Sequence, residues 1–524
     1  MQLPHALVTL ALFTTPVLAQ EAHADWTFRS ALSNANARFG QSIDIDGDRA
    51  VIGSPFRQAK TFGSGAGYIF ERAPNGNWIE VVALVPAAST FMSLAGTTVA
   101  LDGDCAALAS PTSGGFVTIF ERATSGAWSE TAHLLPPVTP CAAFGRAIDI
   151  EGDRMVVAST QAAWSQPGYV AVYERSSGGP WQLVSIVNPV TTSIQLDSID
   201  LEGDRFVVGA SKSAPSASGS VIVFERNLTN TWDQVATITA SIPQPSSGLG
   251  TSVDLEGDLL VAGAPFDELS PSTTPPGTVS VFERQVGGTW VEVQSLQASP
   301  AANADGFGRS VALDAGRLLA GSPYSNAAAI LGGAAHVFDR AMSGAFVHTI
   351  ALFREEPTSF DGMGMDVALD GDRALVSAAG HLSATSIGYT EALDLGSLYH
   401  NDVGLSLYEG GTHALYLRGP QSVAGDLYIV LGSLSGTSPG IALAPGVELP
   451  LVFDAYTNLG LSLATPVVGA FGVVDANSRA TATFVLPAGT SSSFFGIELH
   501  HAFVVIDPLT FEVFASDAAR VVTK

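Results

Sequence analysis

This sequence predicts an all-β fold: a seven-bladed β-propeller followed by a small C-terminal β-sandwich. Three observations carry the prediction. One ungapped phrase recurs seven times, each copy alternates apolar and polar residues into a glycine-containing turn, and the composition favours strands and turns. Of 524 residues, 46% are hydrophobic and only 14% charged, with 54 glycines and 29 prolines, and no long amphipathic helical pattern runs through them.

In its fullest form the phrase reads FGQSIDIDGDRAVIGSP, from Phe39 to Pro55. Later copies begin at Ala95, Phe144, Gln195, Leu249, Phe307 and Met363. A period of roughly fifty to sixty residues holding several short strands is the mark of a radial array. Ile43-Asp44-Ile45 shows the two-residue period of a half-buried strand. A DGD or EGD turn follows, with Gly47, Gly103, Gly152, Gly203, Gly257 and Gly371 in one register. Glycine accepts the positive φ of such hairpins. The sixth copy departs, reading Asp314-Ala315-Gly316-Arg317 with its glycine one place later.

The second strand (AVIGSP, FVVGAS, LLVAGAP) ends in small residues, which suit a place where neighbouring sheets converge. A third strand ends in FER or a close variant, as at Phe70-Glu71-Arg72, Tyr173-Glu174-Arg175 and Phe338-Asp339-Arg340. The fourth opens on Trp78, Trp128, Trp181, Trp232, Trp290 or, in the sixth copy, Phe346. Four antiparallel strands repeated radially make propeller blades. The seventh copy has no tryptophan strand after its third strand (Gly388 to Leu395), whereas Trp26 to Leu32 matches the missing pattern. That N-terminal segment is expected to complete the seventh blade and close the ring, which removes exposed sheet edges. The ring is expected over residues 26–400. Beyond it, strand-like runs such as HALYLRG, DLYIVLGS and ELHHAFVVID, separated by Gly, Pro, Ser and Asn, predict the sandwich over 404–524.

Residues 1–19 read as a secretory signal, with an apolar run from Ala6 to Leu12 and a small-residue cleavage pattern at Val17-Leu18-Ala19. A secreted or cell-surface location follows, with no integral membrane segment in the mature chain, since no later run of eighteen apolar residues occurs. The net charge of −26 disfavours nucleic acid and anionic membranes. Cys105 and Cys141 fall at opposite ends of their strands and are expected as free thiols. The acids of the hairpins (Asp44, Asp46, Asp48; Asp254, Glu256, Asp258) are expected on one rim, in surface ion pairs with the FER arginines that order each blade's own turns.

The spacing of FG, DGD and GSP or GAP resembles the FG-GAP repeat of integrin α-subunit propellers and related bacterial secreted proteins, over about residues 26–400. The resemblance implies seven blades with the first strand of each innermost. The hairpins would lie on a lower face and the variable loops on an upper one. Several hairpins of that family hold calcium in an extended acidic loop, and here the turn closes at once as Asp46-Gly47-Asp48-Arg49. Calcium wants six to eight oxygens, so no cofactor, calcium included, is expected.

Loops on a rigid scaffold commonly carry function. The upper loops offer Phe56, Arg57, Trp164, Lys212, Phe266, Asp267 and Tyr324 as candidate ligand-binding residues, and no catalytic or metal-ligating residue is assigned. Gly436 to Gly440 fits GxSxG, but the following IALAPG cannot form the helix a nucleophile elbow needs. His500 and His501 are adjacent on a strand and face opposite sides, so they do not share a metal; one is expected in the core. The expectation is a secreted, non-enzymatic binding or adhesion protein whose partner is an extracellular protein or glycan. The alternatives are an extracellular polysaccharide hydrolase or lyase, and a structural envelope component.

Overall fold

The computed structural model describes residues 21–22, 26–29 and 37–400, except 74–76, 113, 140, 161–167, 177, 190–195, 212–217, 267–275, 299–304, 342–343, 355–357, 380–387 and 396–397. Between 411 and 522 it describes the strands named below, the antiparallel pair Ile441–Ala444 and Val447–Leu449, and some neighbouring positions. The expected export signal (1–19) and the GxSxG segment (436–440) lie outside the described residues.

Each copy of the phrase opens a four-stranded antiparallel meander of the kind that makes a propeller blade. The first sheet consists of Ile43–Asp46, Arg49–Ser54, Ala66–Arg72 and Trp78–Leu84. Five more follow in the same strand order, opening at Thr98–Asp102, Ala143–Glu151, Ser198–Glu202, Ser252–Glu256 and Val311–Asp314, and a parallel pairing of Ala143 and Phe144 with Gly114 and Gly115 joins the first two of these. The seventh takes Val367–Asp370, Arg373–Ala378 and Tyr389–Asp394 from one stretch of chain and Trp26–Phe28 from another, with Trp26 opposite Ala392. Phe28 is fully buried there and meets Phe70 and Trp78 of the first sheet edge-on, at 4.7 and 5.4 Å between ring centres. A short N-terminal strand, Glu21–Ala22, adds in parallel to the outer strand of the sixth sheet.

The sheets form a closed circuit. At each seam a carboxylate on one innermost strand accepts the turn N–H of the next sheet. Gly103 donates to Asp46, Gly152 to Asp102, Gly203 to Glu151, Gly257 to Glu202, Gly316 to Glu256 and Gly371 to Asp314. Gly47 donates to Asp370 and returns the circuit to its start. Between the sheets lies the apolar core: Phe206, Phe224 and Trp232 pack on Val156, Val170 and Leu201, and equivalent clusters fill the other seams. Small residues do mark convergence. A Cβ on Gly53 would sit 2.2 Å from the Gly96 carbonyl oxygen, inside any allowed contact.

The rim ion pairs depart from expectation, because they cross from sheet to sheet as well as ordering single turns. Glu71 is held by Arg49 of its own sheet at 3.2 Å and by Arg122 of the next at 3.1 Å. Arg175 reaches back to Glu121, Arg226 to Glu174, Arg284 to Glu225 and Arg340 to Glu283. Arg154 and Arg205 stack on Trp232 and Trp290 of the following sheet, a contact that adds dispersion and quadrupole attraction to the ion pair.

In the tail, Leu398–His400, Gly411–Arg418, Arg479–Leu486 and Val467–Val468 form one antiparallel sheet. Leu398–His400 falls inside the span the sequence assigns to the ring but pairs with the tail. Phe471–Val473, Leu427–Ser433, Glu498–Ile506, Val513–Ala515 and Ala519–Val522 form a second antiparallel sheet. His501 is buried, hydrogen-bonded to the Tyr456 hydroxyl at 2.8 Å and in ring contact with Phe484, while His500 on the opposite side is less enclosed. Cys105 and Cys141 are both free.

Candidate functional site

Three surfaces of the ring gather chemistry: its lower turns, its axis and its upper loops. At the lower turns the charged groups are already engaged. Asp46 holds the Gly103 N–H, Asp48 pairs with Arg373 at 3.0 Å, and the Arg373 guanidinium also donates to the Gly47 carbonyl. Such turns hold the scaffold together.

Along the axis the middle residue of the innermost strand is Asp44, Asp149, Asp200 or Asp254 in four sheets and Ala100, Ala312 or Ala368 in three. The sequence places these aspartates with the other acids on the rim; the strand register turns them inward instead. Each accepts an N–H from the neighbouring first strand: Leu101 to Asp44, Leu201 to Asp149, Leu255 to Asp200 and Leu313 to Asp254. Burial pushes the Asp44 carboxyl up to about 7, against the two hydrogen bonds it accepts. Burial raises Asp149, Asp200 and Asp254 well above the ordinary carboxylate value too, and their mutual repulsion adds to it. Among the described residues no group of three or more His, Cys, Asp or Glu side chains is arranged to hold a metal ion.

The upper loops differ in kind. In the first sheet the loop 55–65 carries Phe62, 52% exposed, against Phe91 of the next connection, 67% exposed, with ring centres 6.1 Å apart. Main-chain bonds lock the two loops: Met92 N donates to Phe62 O at 3.1 Å and Leu94 N to Gly63 O at 2.9 Å. The sixth sheet repeats the device, with Phe360 N on Ile330 O and Gly362 N on Leu331 O, and it too leaves Ile330 and Phe360 exposed. Met92, Leu94, Leu331 and Phe360 all hold positive φ, a conformation that costs a non-glycine residue about 1 kcal/mol or more.

Of the residues singled out from the sequence, Phe266 stands exposed on its loop, and Tyr324 is half-buried. Phe56 lies half-buried under the Arg38 guanidinium at 4.6 Å. Arg57 is a correction to an exposed loop cation: it is buried and stacked on the Tyr68 ring at 5.0 Å. Trp164, Lys212 and Asp267 lie outside the described residues. Phe62, Phe91, Ile330 and Phe360 were missed. Their signal in the sequence is a large apolar residue among small and polar ones, at positions where the repeat varies (TFGSG, STFMS).

No curated protein matches the chain. Solved structures similar to it include a candidate 6-phosphogluconolactonase from Bacteroides uniformis, 14% identical, covering 61% of this chain and 86% of that one at a TM-score of 0.44. A second, from Bacteroides fragilis, is 13% identical and covers 61% and 85% at a TM-score of 0.39. The family model that matches is the FG-GAP repeat, over residues 33–70, 232–282 and 290–338. FG-GAP repeats are therefore present in three regions of the chain: the first sheet from its opening phrase into its third strand, the fourth sheet's outer strand through the fifth sheet's third, and the fifth sheet's outer strand into the sixth sheet's third.

Proposed function

We propose that this chain is a secreted or cell-surface binding protein without enzymatic activity, which meets an extracellular protein or glycan through its upper loops. In this reading residues 1–19 direct export, the ring over residues 26–400 is a seven-bladed propeller of the integrin α-subunit type, and 404–524 form a β-sandwich module. One observation carries the reading. Large apolar side chains stand exposed on upper loops whose main chains are locked together, while the charged groups of the axis and lower turns are used in joining sheets. Rigid presentation of exposed aromatic groups lowers the ordering cost of binding.

The test is an array of glycans and extracellular proteins screened with the purified mature chain. Saturable binding that falls at least tenfold on Phe62→Ala, Phe91→Ala or Phe266→Ala, with folding intact, is the expected result. Turnover of a polysaccharide, or no saturable partner at all, overturns the reading.

A further inference from the structure

The first repeat departs from its siblings at two places, and both departures are arginines. The residue three before the recurring Gln41-type position holds a positive φ in five repeats, and in four of them its carbonyl accepts the N–H of that position. It is Gly248, Gly306 and Gly362 in three of them, where that conformation is relaxed, Leu94 in one, and Arg38, at φ +51°, in the first. Arg57 holds the place that Ser325 holds in the sixth repeat. The Gly65 N–H bonds the Arg57 carbonyl just as Gly333 bonds that of Ser325. The scaffold therefore accepts glycine or leucine at one place and serine at the other, and neither place needs a cation.

Among the described residues no carboxylate neutralises either arginine. Arg57 is 9% exposed, its Nη1 has no hydrogen-bond acceptor, and no carboxylate among the described residues pairs with it. Its guanidinium lies over the face of Tyr68. Arg38 covers Phe56 and likewise has no carboxylate partner among the described residues. The Phe56 N–H bonds the Ala37 carbonyl at 3.1 Å, so the segments carrying the two arginines run side by side. Lys60 adds a third cation on the same loop, with its Nζ on the carbonyls of Pro86 and Ala87. By contrast the rim arginines of this acidic chain, from Arg49 to Arg373, sit in ion pairs. A buried guanidinium cannot shed its proton and is costly without a counter-charge. Its planar fork matches the paired oxygens of a carboxylate or sulfate.

We propose that the head of the first sheet is a binding site for the oxyanion of an acidic sugar chain. Arg57 and Arg38 hold the anionic group, and the exposed rings Phe62 and Phe91 border the sugar. The rings are what favour a sugar over an acidic peptide, because a flat apolar face suits the C–H face of a pyranose. This deepens the binding function proposed above and rests on it.

The test is calorimetric titration of the full mature chain at fixed ionic strength with galacturonate oligomers, a sulfated galactan oligomer, a neutral galactan oligomer and an aspartate-rich peptide. The first two arms separate a carboxylate from a sulfate ester as the source of the anion. The expected result is saturable binding of at least one acidic oligomer, with the neutral oligomer and the peptide at least tenfold weaker. Arg57→Ser and Arg38→Gly, the residues that sibling repeats carry, are expected to fold with an unliganded Tm equal to or above that of the parent. Each should weaken the acidic oligomer at least tenfold, and Arg57→Lys should restore only part of the loss. Unchanged affinity in both variants, or equal affinity for the neutral oligomer or the peptide, overturns the site. If the chain binds a neutral glycan or a protein equally well with and without Arg57, the binding function stands and the oxyanion site falls. If it binds nothing, both fall.

Discussion

Ala315 holds a φ of +48° in a turn where the other six copies place a glycine at φ between +55° and +59°. Those six turns are left-handed at the first central position only, whereas Ala315 and Gly316 are both left-handed, at +48° and +71°. The shifted glycine thus changes the hairpin from the type II′ pattern to type I′ and leaves an alanine in strain. Ala315→Gly is expected to raise stability by about 0.5–1 kcal/mol in urea unfolding; a loss would show the strain is absent. Two residues on, Arg317 is fully buried between Asp339 at 3.1 Å and Asp372 at 2.8 Å. Removing one member of a buried ionic group strands the rest, so Arg317→Ala is expected to cost about 3 kcal/mol. Arg340→Ala, in a rim pair one-third exposed, is expected to cost about 0–1 kcal/mol. Equal losses at the two sites would contradict the burial argument. The displaced glycine is plain in the sequence, but the difference between Arg317 and its equivalents is not, since it depends on how deeply the turn sits.

Among elements, the innermost strands do more than the alternation Ile43-Asp44-Ile45 suggests. A period of two says that Asp44 faces away from Ile43 and Ile45. It does not say that the other side is an enclosed axis where the carboxyl joins the next strand. The acidic hairpins were legible as hairpins for that reason, and their inward aspartates were not. The consequence is a pH dependence. Burial raises these carboxyls in the folded state, to about 7 at Asp44, and likewise raises Asp366, which accepts the Ile43 N–H between the seventh and first sheets, to about 6. A raised folded value means the stability they contribute is complete below the unfolded value near 4 and is lost as pH climbs through the folded one. Burial lowers His336 to about 3 and His348 to about 4. Their opposite slope is spent by about pH 6.5, the unfolded histidine value. The Tm is therefore expected to fall as pH climbs from 6.5 through about 7, the folded value at Asp44, and Asp44→Ala, matching the alanine of three sibling sheets, to flatten that fall. A Tm that rises across this window, or an unchanged slope in the variant, would contradict it.

For the whole molecule, closure was readable because Trp26 to Leu32 repeats the pattern that the seventh copy lacks. The parallel addition of Glu21–Ala22 to the sixth sheet was not, since two residues carry no periodicity. The upper face was legible only as a list of variable loops. Which of them present aromatic rings and which bury a cation depends on main-chain bonds between segments distant in sequence. Closure also bears on function, because the N-terminal segment that seals the seventh sheet leads into Arg38 at the head of the first. Phe28→Ala, which empties a fully buried site between those sheets, is expected to cost about 3–5 kcal/mol. The most direct measurement is thermal unfolding of the chain with residues 26–29 deleted, beside the full-length protein. A closed ring predicts a Tm lower by about 10 °C or more, with less cooperative unfolding; an unchanged, equally cooperative transition would mean that the ring does not close through this strand.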